Sequence, residues 1–293
     1  MTRRPPHLRR SWLFVAGADR AAHEAAAASG ADVLIQELED FTPPERRPEA
    51  RKAAARLYDE WRRRGALAAV RVNPLETCGR EDIEAVMRGR PDIVLMSKVS
   101  EPAQVRALAE AVAAAEKTLG IAAGATELVP NIESARGLIQ TYAIATADPR
   151  VTGVCGSTED LAVDLGAVRT RDGRELAYAR QRLHVECVAA KILSIDCPYT
   201  FADDEGCTAD ARWAHGLGYI AKSAVKPEHV RLVNAAMTPS EAEIIDAQRV
   251  TRGFEEARGA GQDRVTVDGK LVELPMYLNA QRLLRRATEL GVA

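Results

Sequence analysis

Two stretches, Leu128-Val-Pro-Asn-Ile-Glu-Ser-Ala-Arg136 and Val154-Cys-Gly-Ser-Thr-Glu-Asp-Leu161, decide how this chain reads. In each, a short apolar run is followed by a carboxylate and then by residues able to start a helix. Neither Leu128–Ile132 nor Val151–Cys155 alternates apolar with polar side chains, so both read as strands buried on two faces. Glu133 and Asp160 then emerge at the carboxyl ends of neighbouring parallel strands, where α/β folds carry their active sites. Two carboxylates meeting there suit Mg²⁺, which usually takes one or two protein carboxylates and fills its shell with water or substrate. The alternative is that both acids only cap the helices that follow them.

Outward from this pair the same grammar repeats. Ser11–Val15, Val33–Leu38, Leu67–Val72 and Ile93–Met96 read as earlier strands, and Ser194–Cys197 and Gly218–Ala221 as later ones. Between them lie helical segments at Asp19–Ser29, from Pro43-Pro44 to about Arg64, Asp82–Arg88, Pro102–Leu119 and Arg174–Leu193, with Gly30 and Gly65 as stops. Alternation of strand and helix with short connections predicts a parallel sheet closed as a (β/α)8 barrel over residues 1–238. From 239 to 293 the pattern changes to a long helix (Pro239–Arg258), a hairpin turning at Asp268-Gly269, and a last helix (Met276–Leu290). This C-terminal helix–hairpin–helix extension needs a surface to pack on, because a lone hairpin is only marginally stable.

Composition narrows the class. The 293 residues include 46% hydrophobic but only 4% aromatic side chains, so the core is built from Ala, Val, Leu and Ile. Forty Lys plus Arg against 42 Asp plus Glu create no field for nucleic acid. Five cysteines without a CxxC pair point to a reducing cytoplasm and away from zinc or a disulfide framework. No apolar run approaches the roughly 20 residues of a membrane span, and the basic N-terminus lacks the apolar core of a signal peptide. The five histidines fall in helices and loops and read as surface. No His or Cys sits in a recognisable nucleophilic triad, so nothing in the sequence suggests nucleophilic catalysis.

The strand ends supply Glu39, Asp40, Arg71, Lys98, Glu133 and Asp160. Singly, each has a plain explanation as an ion pair or a solvated loop. Together they are harder to dismiss, because charges seldom follow buried strands without partners. The stretches Arg10-Ser-Trp-Leu-Phe-Val15, Leu38-Glu-Asp40, Val70-Arg-Val-Asn-Pro74, Lys98-Val99, Ile132-Glu133, Thr158-Glu-Asp-Leu161, Pro239-Ser240 and Asp268-Gly-Lys270 carry a resemblance. With Arg47 and Ala50-Arg51, they resemble in order the citrate lyase beta-subunit-like proteins of the HpcH/HpaI aldolase superfamily. It covers about residues 10 to 290.

The resemblance implies a Mg²⁺-dependent carbon–carbon lyase or aldolase. Mg²⁺ would be held by Glu133 and Asp160, with Arg71 and Lys98 as substrate-binding residues. Glu39 and Asp40 would order the metal waters and the arginine. Glu273, in the tail of an adjacent subunit, is the implied general acid/base, so the resemblance also implies a homotrimer or a dimer of trimers. The substrate would be a 2-oxo or 3-hydroxy acid or its CoA thioester, cleaved or condensed through an enolate. The chain departs from the family pattern at Glu37 (usually Asp), Ala16 (a proline) and Ala25, near a first-helix lysine that helps relatives hold CoA. Lys226 stands for the histidine of Gly-Lys-x-x-Ile-His-Pro. A free oxo acid therefore stays beside a CoA thioester as substrate. A subunit that works only with acyl-carrier partners stays beside an autonomous enzyme.

Overall fold

The structure, a computed structural model, describes residues 3–293. Eight strands, β1 (Ser11–Ala16), β2 (Val33–Glu37), β3 (Leu67–Val72), β4 (Ile93–Met96), β5 (Glu127–Ile132), β6 (Gly153–Gly156), β7 (Leu193–Asp196) and β8 (Ala221–Ala224), form a closed barrel. Every neighbouring pair is parallel, and Ser11 opposite Lys222 closes the ring. Along each strand, side chains divide between two apolar clusters. Trp12, Phe14, Ile35, Leu95, Val129 and Ile195 fill the barrel interior, and Leu13, Leu34, Val70, Val94 and Leu128 meet the helices outside. Period-two geometry sends alternate residues to opposite faces, and both faces here are covered, so the strands are continuously apolar.

The helices between them are α1 (Arg20–Ala28), α2 (Arg47–Arg63), α3 (Gly79–Val86), α4 (Pro102–Thr118), α5 (Ala135–Ile139), α6 (Thr141–Ala145), α7 (Glu159–Asp164), α8 (Ala177–Ala190), α9 (Asp204–Gly216) and α10 (Val230–Ala236). Their starts follow local chemistry. Asp19 accepts from the Ala22 amide at α1, and Glu101 with Gln104 forms a capping box before Pro102.

The last strand differs from expectation. Gly218 and Tyr219 belong to the turn that ends α9, with Gly218 at φ +104° and the Tyr219 amide donating to Ala214. The strand therefore begins at Ala221, and Lys222 lies within it, fully buried, instead of following it. Val151 makes an isolated bridge to Leu128 ahead of β6. Two histidines expected at the surface are buried, His23 in α1 and His229 before α10.

The chain divides into two compact units, the first ending at Met237 and the second spanning Thr238–Ala293. The second consists of α11 (Glu241–Gly259), an antiparallel hairpin of β9 (Arg264–Val267) and β10 (Lys270–Glu273), and α12 (Leu274–Glu289). Ser240 and Glu243 form a capping box at α11. Asp268 and Gly269 both take positive φ, 49° and 79°, as a two-residue hairpin turn requires. Phe254 of α11 stacks on Tyr277 of α12 at 4.8 Å. Among the described residues no helix is long and apolar enough to cross a membrane.

Candidate active site

The carboxyl end of β2 delivers Glu37, Leu38, Glu39 and Asp40, and Glu37 organises the loop. One of its oxygens accepts from the Glu39 amide at 2.7 Å, the other from the Phe41 amide at 2.6 Å. The first also accepts from Arg71 Nε at 2.9 Å. Arg71, on β3, therefore leaves its strand with the guanidinium fixed on one side. Its other nitrogens reach Glu39 at 3.2 Å and Glu133 at 3.4 Å, and its plane lies 4.9 Å above the Phe14 ring. Three buried carboxylates raise the pKa of this already permanent cation against the opposing effect of burial.

Glu133 follows β5 and is buried. One oxygen contacts Arg71 and accepts from the Asn131 amide. The other, Oε2, is buried without a hydrogen-bond partner among the described residues, as is Asn131 Oδ1. Burial pushes the Glu133 carboxyl up to about 7, against Arg71, with Asp160 and Glu39 adding to the rise. Asp160 lies in the first turn of α7, where Ser157 Oγ donates to it at 3.3 Å. Lys98, just past β4, takes a left-handed backbone at φ 56°. Its ammonium pairs with Glu39 and stands 3.8 Å from Asp40. That pairing raises the Lys98 pKa, while burial raises that of Glu39.

Phe14, Asp40, Arg71, Asn131 and Asp160 line one pocket of about 300 Å³ with Thr200 and neighbours. Glu39, Arg71, Lys98 and Glu133 thus form one ion-paired cluster, and Asp40 and Asp160 share the adjoining pocket. Glu273 belongs to the second unit, where it is exposed at the end of β10 and leads into α12. Sequence reasoning missed Glu37 as the residue that orients Arg71, and Asn131 as the partner of Glu133. Glu37 carried a signal, because an acid inside an apolar strand needs a buried cation.

Among the described residues no group of three or more His, Cys, Asp or Glu is arranged to hold a metal. The donors that are present fit Mg²⁺ nonetheless. A buried carboxylate oxygen and an amide oxygen without partners, with a second carboxylate near enough to raise the first one's pKa, offer the few hard oxygen ligands this ion takes from a protein.

A closed parallel barrel with an acid–arginine cluster at its carboxyl end has the arrangement of a barrel enzyme, whose active site lies at that end. The chain belongs to the HpcH/HpaI aldolase/citrate lyase family, whose model matches residues 10–227. It is accordingly an enzyme of a carbon–carbon lyase family. It is 33% identical to citrate lyase subunit beta of Leuconostoc mesenteroides over 96% of this chain and 93% of that one. It is 35% identical to a (3S)-malyl-CoA thioesterase of Cereibacter sphaeroides over 96% and 95%. Among solved structures it resembles protein CitE from Mycobacterium tuberculosis, in complex with magnesium, acetoacetate and coenzyme A. That match has a TM-score of 0.77 and 26% identity, covering 95% of this chain and 98% of that one.

Proposed function

We propose that the protein is a Mg²⁺-dependent lyase or aldolase that cleaves or condenses a 2-oxo or 3-hydroxy acid or its CoA thioester. The observation that carries this reading is the buried, partnerless Oε2 of Glu133 beside an arginine held by three carboxylates. Glu133 and Asp160 would hold the ion, which would supply a Lewis acid for a substrate carbonyl. Arg71, held through its Nε by Glu37, directs its remaining N–H groups at the substrate carboxylate or at the oxygen that gains charge as the carbon–carbon bond breaks. Because Glu37 and Glu39 fix its position beforehand, little reorganisation opposes the reaction. Lys98 binds a second anionic group of the substrate and opposes the rise that burial imposes on the Glu39 pKa. Asp40, half-exposed at the pocket, takes part in ordering water. Glu273, from a neighbouring copy in a homotrimer or dimer of trimers, moves the proton. The five free cysteines suit a reducing cytoplasm.

The test is calorimetric titration with Mg²⁺. Glu133→Gln and Asp160→Asn should each weaken binding at least tenfold, roughly 1.4 kcal/mol, and wild-type affinity in both variants would sink the assignment. A thermal-shift panel of Mg²⁺ with pyruvate, oxaloacetate, glyoxylate and CoA thioesters identifies the substrate class, since ligands of the native state raise Tm.

One relative is called a subunit, which favours a second reading as a component that needs acyl-carrier partners. Turnover of a free CoA thioester by the isolated chain separates the two. Product analysis also separates bond cleavage from the thioester hydrolysis that names another relative.

A further inference from the structure

A second cavity, of about 510 Å³, opens at the opposite, amino-terminal end of the barrel. It lies between the starts of β6, β7 and β8 and the end of α8. His7, Thr152, His184, Lys191 and Ser194 supply its polar lining, Val151, Val188 and Ile192 an apolar wall, and no carboxylate lines it. The Thr152 hydroxyl donates to Glu127 at 2.7 Å, and that charge is already met by Arg9 at 2.6 Å. The cavity therefore carries the Lys191 ammonium with imidazole and hydroxyl groups and no carboxylate in its lining. Its volume is that of a site for a small organic molecule.

Two details argue that its polar side is built. His184 is fixed from two directions, Nδ1 lying 2.8 Å from Ser194 Oγ and the ring 4.6 Å from Tyr219. Its Nε2 has no hydrogen-bond partner among the described residues, and a Cβ at position 218 would stand 2.8 Å from that nitrogen. Gly218 keeps the space beside Nε2 open. Lys191 ends α8 at φ 58°, in the left-handed region where glycine is the usual helix terminator. The chain carries a lysine there instead, exposed at the rim and without an ion-pair partner among the described residues. Side chains held in sparsely populated backbone regions concentrate at functional sites.

We infer that this cavity binds a small organic phosphate, with Lys191 and His184 taking the phosphoryl oxygens and the Val151–Val188–Ile192 wall packing on the organic part. An ammonium at the rim and an imidazole nitrogen in the same cavity, beside an apolar wall, suit a phosphate monoester: with the Ser194 hydroxyl donating to Nδ1, Nε2 carries the proton and donates to the phosphate, and the wall covers the organic part. The inference does not depend on what the carboxyl end of the barrel catalyses.

Isothermal titration of the full chain with adenosine monophosphate, and with pyrophosphate as a probe lacking an organic part, tests it. Adenosine monophosphate should bind with submillimolar Kd and more tightly than pyrophosphate. Lys191→Gly and His184→Gln should each weaken it at least tenfold. Glycine suits the backbone at 191, so Lys191→Gly should hold or raise Tm, which separates lost binding from lost folding. No binding of either probe up to several millimolar overturns the inference. So does equal affinity in wild type and both variants, which would put the ligand elsewhere on the protein.

Discussion

At the scale of the residue, the centre of the site is Arg71. Lysine at 71 keeps the charge among Glu37, Glu39 and Glu133 but has no planar fork and no Nε to meet Glu37. Arg71→Lys should lower kcat about 10²–10³-fold, the scale of losing one oriented donor at developing charge. Tm should move by only a few degrees, since the carboxylates remain paired. A thermal melt beside a steady-state assay checks this, and a large fall in Tm with kcat intact would make Arg71 a structural residue. Glu37 has a different balance, because it satisfies two loop amides as well as Arg71. Glu37→Gln should cost about 1–3 kcal/mol in urea unfolding, because its NH₂ group faces donors where the carboxylate had accepted from them. The strand-end positions of Arg71, Lys98, Glu133 and Asp160 were readable because each follows an apolar run. For Glu37 the sequence signalled a buried cation but not which one, since direction along a pleat does not tell which partner a buried acid will find. The lysine of the Lys98–Glu39 pair takes a left-handed backbone, a conformation no composition rule anticipates.

At the scale of the element, the barrel strands were legible because both faces are buried, and their apolar runs stand out from the helices. The offset of β8 had a physical cause. Gly218 looked like the start of a strand, but it is the positive-φ turn after α9, and the true strand carries a lysine. Lys222 is tolerated there because it meets Asp196 at 2.7 Å and Asp210 at 2.6 Å, while Arg180 also holds Asp196 at 2.7 Å. Its Nζ also donates to the Cys197 carbonyl at 2.6 Å, just ahead of Pro198 and Thr200 in the pocket wall. Burial alone would raise the Asp196 pKa, but Arg180 and Lys222 bring it down to about 2. A carboxyl depressed in the folded state stabilises the fold above its unfolded pKa of about 4, and that contribution is lost as pH falls through about 2. It amounts to about 2 kcal/mol. Asp196→Asn should therefore remove about 3–5 kcal/mol at neutral pH by leaving buried cations short of charge. It should also flatten the acid limb of stability between pH 4 and 2, measured by urea unfolding at stepped pH. An acid limb identical to wild type would show that other carboxyls govern acid unfolding.

At the scale of the whole molecule, the second unit has its own small core around Phe254 and Val272, yet it leaves Leu271, Leu274, Met276 and Leu278 exposed. Apolar side chains gathered along one hairpin edge and the start of one helix are what an interface covers. The same segment carries Glu273, the acid proposed for proton transfer. Cyclic symmetry lets each copy lend this segment to the next and closes the ring without a free end. The protein should therefore sediment as a trimer or a dimer of trimers, and replacing Leu274 and Met276 together by Glu should shift it toward monomer with activity lost in parallel. Sharing of the site is tested separately by mixing Arg71→Lys with Glu273→Gln protein and allowing subunits to exchange. Each mixed ring contains a site with an intact Arg71 facing a neighbour's intact Glu273, so activity should return well above that of either variant alone. Mixed oligomers, verified by mass spectrometry, that recover nothing would defeat the shared site, as would a monomer with full activity.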